Sequence, residues 1–378
     1  MKKYLSCVIL IVLCIVCATI FYVNANDVDE KDEAKSSQSS AQTSADQKDE
    51  GEESHVVIDQ SGTILSERLT DVNLRIEWSM YKVANQSALY ISAELYLDTP
   101  EQITNAGSGY ICVNGDKREF KTSTMVGTTN LLTSYSTATE VVADGEISFE
   151  AFLDVSAKTP TGDTINGVYA KGKAYARESY MEMKPAASLD LGIISKFPEL
   201  PSGDEITSLA MVLSYLKYKV DKCDLNDLYL DKGPANYTDV FEANAGNPKD
   251  TYNSYGCMPP VIVNAANKYI AVNGGKYYAR DISGVSGCEL YYEVAQGNPV
   301  IVWVCEDFEL TPSIFRTLVI DGKTVYLKSN VNTAVLIGYD YASKTVTLAD
   351  PSGVIYSVDM ELFEARFSQV GAYAAIIK

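Results

Sequence analysis

The chain has 378 residues, 46% hydrophobic and 21% charged, which is enough apolar content for two folded domains with segments to spare. Its 50 Asp and Glu outweigh 31 Lys and Arg, giving a formal net charge of −19. Nucleic acid and anionic membrane surfaces are thereby excluded as partners, because both need clustered Lys and Arg and no basic stripe occurs.

Lys2 and Lys3 precede an uninterrupted apolar run from Tyr4 to Val23. A helix of about 20 such residues spans the hydrocarbon core. The positive charge before it keeps the N-terminus in the cytoplasm and puts the rest of the chain outside. Length favours an uncleaved anchor within residues 1–25; cleavage after Ala25, in Val23-Asn24-Ala25, is the secreted alternative. Cys7, Cys14 and Cys17 read as small apolar residues of that helix. Over residues 26–55 Ser, Gln, Asp, Glu and Lys replace nearly all apolar residues. Such a segment buries too little to offset its ordering entropy and predicts a disordered acidic linker. His55, the only histidine of the chain, sits at its end and reads as solvated.

Residues 56–180 alternate. Leu74, Ile76, Trp78 and Met80, then Leu89, Ile91, Ala93, Leu95 and Leu97, then Ile147, Phe149, Ala151 and Leu153 fall at every second position. This predicts strands with one buried face. Asn114-Gly115, Asp144-Gly145 and Asn166-Gly167 are hairpin signals, because they accept the positive φ of tight turns. Together they predict a β-sandwich domain. Cys112 lies in a strand-like run and is expected to be buried. No convergent His, Cys, Asp or Glu group appears, so a spacer or binding module is the expectation.

A linker near 181–190 precedes a domain over 186–378. Pro198 and Pro201 disfavour helix before them, Ser202 with Glu205 forms a capping-box pattern, and Ile206, Leu209, Ala210, Leu213 and Leu216 share one helical face. An extended arm therefore runs into a helix that starts near Asp204. A helix N-terminus is where backbone N–H groups and the macrodipole favour an anionic group.

The run from Ile193 to Leu213 resembles the C39-like peptidase family of exported bacterial proteins. Further sections match in order: Asp221-Lys222-Cys223, Asp227-Leu228-Tyr229-Leu230, Lys232-Gly233-Pro234, Gly246-Asn247-Pro248, Tyr255-Gly256-Cys257, Pro260-Val261-Ile262, Gly297 to Val304, Asn332 to Asp340, and Asp350-Pro351 with Gly353. The resemblance covers about 191–378. It implies a papain-like cysteine-peptidase fold, so the whole chain is expected to be α+β: a membrane helix, a β-sandwich and a papain-like domain.

In the family a Cys attacks, a His takes its proton, an Asp orients the His and a Gln helps bind the oxyanion. By this resemblance Asp204 stands at the nucleophile, Asn332 at the base, Lys196 at the oxyanion donor, and only Asp350 keeps its type. Asn does not titrate near neutral pH, and the domain contains no histidine to activate Cys223, Cys257, Cys288 or Cys305. The expectation is a domain that is no enzyme, in which Lys196, Asp204, Asn332 and Asp350 converge as a polar network or a binding site. Three oxygen side chains beside a lysine do not suit a metal, and no cofactor is implied. Cys223 and Cys257 lie in matched sections and either pair as a disulfide or stay as isolated thiols.

Three functions follow as expectations. One is a pseudopeptidase, anchored at the bacterial cell surface, that binds a peptide or an envelope protein without cutting it. A second is a purely structural surface protein. A third is a hydrolase that uses Asp204 and Asp350 as an acid/base pair.

Overall fold

Alternating burial in the Asn73–Val83 and Ala88–Asp98 strands places Leu74, Ile76, Trp78 and Met80 opposite Leu97, Leu95, Ala93 and Ile91 on one face. The computed structural model describes residues 56–66, 72–84, 87–99, 107–122, 128–140, 145–158, 164–178, 183–320 and 323–378. The expected membrane helix, the acidic linker, His55, Cys7, Cys14, Cys17 and Asp144 lie outside them. Among the described residues no helix is long and apolar enough to cross a membrane.

The first eight strands are β1 (Val56–Leu65), β2 (Asn73–Val83), β3 (Ala88–Asp98), β4 (Ser108–Val113), β5 (Asp116–Lys121), β6 (Thr129–Glu140), β7 (Gly145–Lys158) and β8 (Thr164–Ala176). They form two four-stranded antiparallel sheets, ordered β1-β2-β3-β6 and β5-β4-β7-β8. One core lies between them, in which Trp78 stacks on Phe149 at 5.4 Å. This is the expected sandwich.

Asn114 (φ 52°) and Gly115 (φ 88°) make the two-residue turn between β4 and β5. Asn166-Gly167 is not a turn. It lies within β8, opposite an irregularity where β7 carries one extra residue between Leu153 and Ser156. At Gly167 a Cβ would meet the Phe152 ring at 2.4 Å, so the close ring and the positive φ, rather than a hairpin, call for glycine. Cys112 is half-buried rather than buried, since it sits on the outer face of β4.

The following strands are β9 (Ala186–Ser188), β10 (Lys232–Gly233), β11 (Asn244–Gly246), β12 (Ser254–Gly256), β13 (Ala279–Asp281), β14 (Val300–Cys305), β15 (Ser313–Ile320), β16 (Lys323–Ser329), β17 (Val331–Asp340), β18 (Thr345–Asp350), β19 (Val354–Asp359) and β20 (Ala374–Ile377). The helices are α1 (Asp204–Tyr215), α2 (Lys222–Asp224), α3 (Pro259–Asn273), α4 (Gly287–Ala295) and α5 (Met360–Val370). A sheet ordered β13-β20-β14-β17-β18-β19 is the frame, and β9 pairs with β17. Part of the expected linker is therefore a strand.

Val300-Ile301-Val302-Trp303-Val304-Cys305 is buried along its whole length. A continuous apolar run suits a strand covered on both faces. Ile301, Trp303 and Cys305 face α1 and α3, while Val300, Val302 and Val304 face α4 and α5. Helix α1 is likewise buried from Ile206 through Leu213, not on one stripe, because it runs inside this lobe.

The sandwich and the second lobe keep separate cores yet belong to one compact unit over 54–378. Their seam includes the Lys173–Val285 bridge and a bidentate ion pair of Arg177 with Glu289, at 2.9 and 2.7 Å.

Candidate functional site

Asp204 is the first residue of α1, and its N-cap is Gly203 with no side-chain cap. The expected capping box does not form. Ser202 is held instead through its backbone N–H, which donates to Pro248 O at 3.1 Å. Glu205 turns away from the helix end, and its Oε1 accepts from the Cys257 backbone N–H at 3.1 Å.

Lys196 reaches Asp204 from the arm before the helix. Its Nζ lies 2.6 Å from Asp204 Oδ1, with about one fifth or less of either side chain exposed, at 16% and 20%. The arm is fixed from two sides. Lys196 N donates to Pro351 O at 2.6 Å, just past β18. Lys222 Nζ donates to the Ser195 carbonyl and makes an ion pair with Glu199 at 2.8 Å. Asp221 in turn caps α2 by accepting from Cys223 N and Asp224 N.

Asp350 ends β18 and is buried. Its Oδ2 accepts from Asn332 Nδ2 at 2.7 Å, and its Oδ1 accepts from Ser352 N at 2.7 Å. Asn332, near the start of β17, accepts from Thr333 N at 2.7 Å through Oδ1. Both ends of its amide are thus engaged. Lys196 with Asp204 and Asn332 with Asp350 thus form two hydrogen-bonded pairs, and Asp350 is near enough for its charge to act on Asp204.

Electrostatics joins the pairs. Desolvation lifts the Asp204 carboxyl above its ordinary range. Lys196 pulls it back down, and the nearby Asp350 carboxylate raises it. Burial, followed by repulsion from Asp204, pushes Glu205 up to about 7. Glu205 is the site residue that sequence reasoning missed. The signal for it was Gly256, whose φ of 77° and close approach leave no room for a Cβ, which would meet Glu205 Oε1 at 2.1 Å. The Tyr255-Gly256-Cys257 section is therefore the floor beneath the carboxylate. The Cys257 carbonyl also accepts from Trp303 Nε1 at 2.8 Å.

Cys223 and Cys257 do not pair; both thiols are free. Cys257 is enclosed in the core beside Glu205, whereas Cys223 lies on α2 among Asp221, Glu199 and Lys222. Burial raises every thiol of this lobe: Cys223 and Cys257 upward, Cys288 and Cys305 to about 11. A raised thiol holds its proton and is a poor nucleophile. Among the described residues no group of three His, Cys, Asp or Glu side chains is placed to hold a metal ion.

Residues 189–375 match the family model described as "Peptidase_C39 like family". The Bacillus subtilis protein YvpB is 30% identical over 215 residues, which cover 54% of this chain and 81% of that protein. A crystal structure described as a C39-like peptidase from Bacillus anthracis is 29% identical; it covers 51% of this chain and 97% of that one, with a TM-score of 0.45. The matched span contains Lys196, Asp204, Asn332 and Asp350, and the extent of the match to YvpB carries the assignment. The chain belongs to the C39-like peptidase family.

Proposed function

We propose that this protein is a catalytically inactive member of its family, a papain-like domain that binds a peptide or an envelope protein without cleaving it. The observation that carries the reading is the 2.6 Å ion pair of Lys196 with Asp204 at the start of α1. At that position the family resemblance places a thiolate. A carboxylate held by an ammonium leaves no thiol there, and Asn332 gives Asp350 an amide partner that does not titrate near neutral pH and so cannot serve as a general base. The four raised thiols supply no substitute nucleophile. A hydrolase that uses Asp204 with Asp350 is the weaker reading, because Lys196 occupies one carboxylate and Asn332 with Ser352 N occupies the other. Export follows from Lys2, Lys3 and the Tyr4–Val23 run: the region after it lies at the bacterial cell surface, anchored by that run or released after Ala25.

The test is constructive. The Lys196→Gln, Asp204→Cys, Asn332→His triple variant rebuilds the family's groups on the scaffold. It is expected to label with thiol-directed peptidase probes and to cleave peptides, whereas the unmodified chain does neither. A correctly folded triple variant that stays unlabelled would reject the site alignment. Display is tested by protease added to intact cells, which is expected to degrade the region after residue 25; protection would place it inside.

A further inference from the structure

The sandwich carries a row of aromatic rings on the outside of its second sheet. Tyr110 of β4, Phe152 of β7 and Tyr169 of β8 alternate with Ile111, Ala151, Val168 and Ala170, which are buried in the sandwich core. Their own side chains therefore point outward. The strand register sets them side by side, with Tyr110 opposite Phe152 and Phe152 opposite Tyr169. Ring centres follow one another at 5.8 and 4.6 Å, with planes tilted by 35° and 40°.

Cross-strand packing is reason enough for the half-buried Tyr110 and Phe152. It does not explain Tyr169, which ends the row 59% exposed and whose hydroxyl bonds to nothing among the described residues. The Tyr110 end is already occupied: Lys117 Nζ lies 4.2 Å from that ring centre, and Tyr110 OH donates to Glu150 at 2.6 Å. The open stretch is Phe152 with Tyr169. Tyr169 also borders a half-open cleft of about 540 Å³ between β8, β1, the 283–288 segment and α5. Ser61, Thr63, Ser286 and Ser368 line this cleft together with Ile64 and Phe367. Lys171, Lys173 and Glu364 bring charges of both signs to it.

An open row of rings stacks ligands that present a flat face, either bases or sugar rings. Single-stranded nucleic acid is excluded by the net charge of −19 and the lack of a basic track. Sugar rings remain. Their C–H faces rest on aromatic carbons, and their hydroxyls suit a cleft in which small hydroxyl residues alternate with apolar ones. A neutral chain is also not repelled by the acidic protein.

We propose that Phe152, Tyr169 and the adjoining cleft bind a neutral β-1,4-linked glycan chain, with successive sugars flat on the two rings and the chain continuing into the cleft. The linkage follows from the shape of the row, because a β-1,4 chain is a flat ribbon and an α-1,4 chain curls away from a straight platform. The site shares no residue with the Lys196–Asp204 pair and stands independently of it.

Calorimetric titration of the full chain with N-acetylchitohexaose and cellohexaose, and with maltohexaose as the α-linked control, tests the proposal. At least one β-linked hexaose is expected to bind with a Kd below about 1 mM, and maltohexaose at least about tenfold more weakly. Tyr169→Ala should weaken the β-linked ligand by about tenfold or more, the loss of one stacked ring, while Tyr169→Phe keeps the ring and the affinity. Tyr81→Ala is the matched control: it removes a 46% exposed tyrosine stacked at 4.8 Å on Tyr90 of the other sheet, and should change nothing. No binding of either β-linked hexaose up to about 10 mM, equal binding of maltohexaose, affinity unchanged in Tyr169→Ala, or an equal loss in Tyr81→Ala would each overturn it. Capture of peptides from a protein digest through Tyr169, with both β-linked hexaoses unbound, would assign the row to a protein partner and overturn it as well. Should Tyr169→Ala not fold, Tyr169→Thr, which keeps a strand-forming residue, decides in its place.

Discussion

At the residue scale the site is a problem in charge accounting. Asp204 and Glu205 share one ammonium, Lys196, and the Asp350 charge also acts on Asp204, in a region that water reaches poorly. Removing Lys196 alone leaves Asp204 beside Asp350 without compensation, and Lys196→Met is expected to destabilise the fold by about 2–4 kcal/mol at neutral pH. The Lys196→Met, Asp204→Asn double variant should lose less than the sum of the two single changes, with a coupling of about 1 kcal/mol or more in urea unfolding. Strict additivity would mean that the pair does not interact.

Glu205 makes a second prediction, about pH. Its folded pKa of about 7 lies above the ordinary unfolded value, so the folded state binds more protons between the two. Its contribution is therefore fully present below the unfolded pKa and is lost as pH rises through about 7, by up to about 3 kcal/mol. Glu205→Gln keeps an acceptor for Cys257 N and should flatten the loss of stability between about pH 5 and pH 8. Asp204 and Glu364 are raised as well and retain a slope of the same sign in that variant. An unchanged slope would show that Glu205 titrates normally. In sequence Glu205 was indistinguishable from a capping-box glutamate, because local spacing does not say whether a side chain turns back to its own helix end or inward to a distant loop.

At the scale of elements, most of the sandwich was legible. Period-two burial is a local property, and β2, β3 and β7 bury the residues that their alternation marks. Pairing across long separations was less so. β9 is a strand only because β17 offers it an edge, and nothing in its three residues announces that. Asn166-Gly167 carries turn chemistry but serves a strand irregularity, since positive φ is needed in both settings. The convergence of Lys196, Asp204, Asn332 and Asp350 was legible only through the ordered family sections, as no local pattern links β18 to the arm before α1. The floor under Glu205 gives a test at this scale. Gly256→Ala adds a Cβ within contact of Glu205 Oε1 and strains a positive φ, so it should destabilise by about 1–3 kcal/mol. Removing the carboxylate with Glu205→Ala in the same chain should recover part of that loss; no recovery would assign the whole effect to the backbone.

At the scale of the whole molecule, the Arg177–Glu289 pair and the Lys173–Val285 bridge join two cores. The chain has 2 tryptophans, and each core holds one: Trp78 in the sandwich and Trp303 in the second lobe. Trp78→Phe and Trp303→Phe variants therefore each report one lobe by fluorescence. Their urea midpoints should coincide, as expected of one cooperative unit. Arg177→Met breaks a pair whose side chains are only 14% and 4% exposed, costs about 3 kcal/mol, and should separate the two midpoints. Midpoints already apart in the unmodified seam would show that the lobes unfold independently.

The proposed absence of peptidase chemistry is open to mass spectrometry of a diverse peptide mixture incubated with the purified chain and with Asp204→Asn. No cleavage by either is expected, against cleavage by the Lys196→Gln, Asp204→Cys, Asn332→His variant. Turnover by the unmodified chain that disappears in Asp204→Asn would contradict it and make Asp204 a catalytic group.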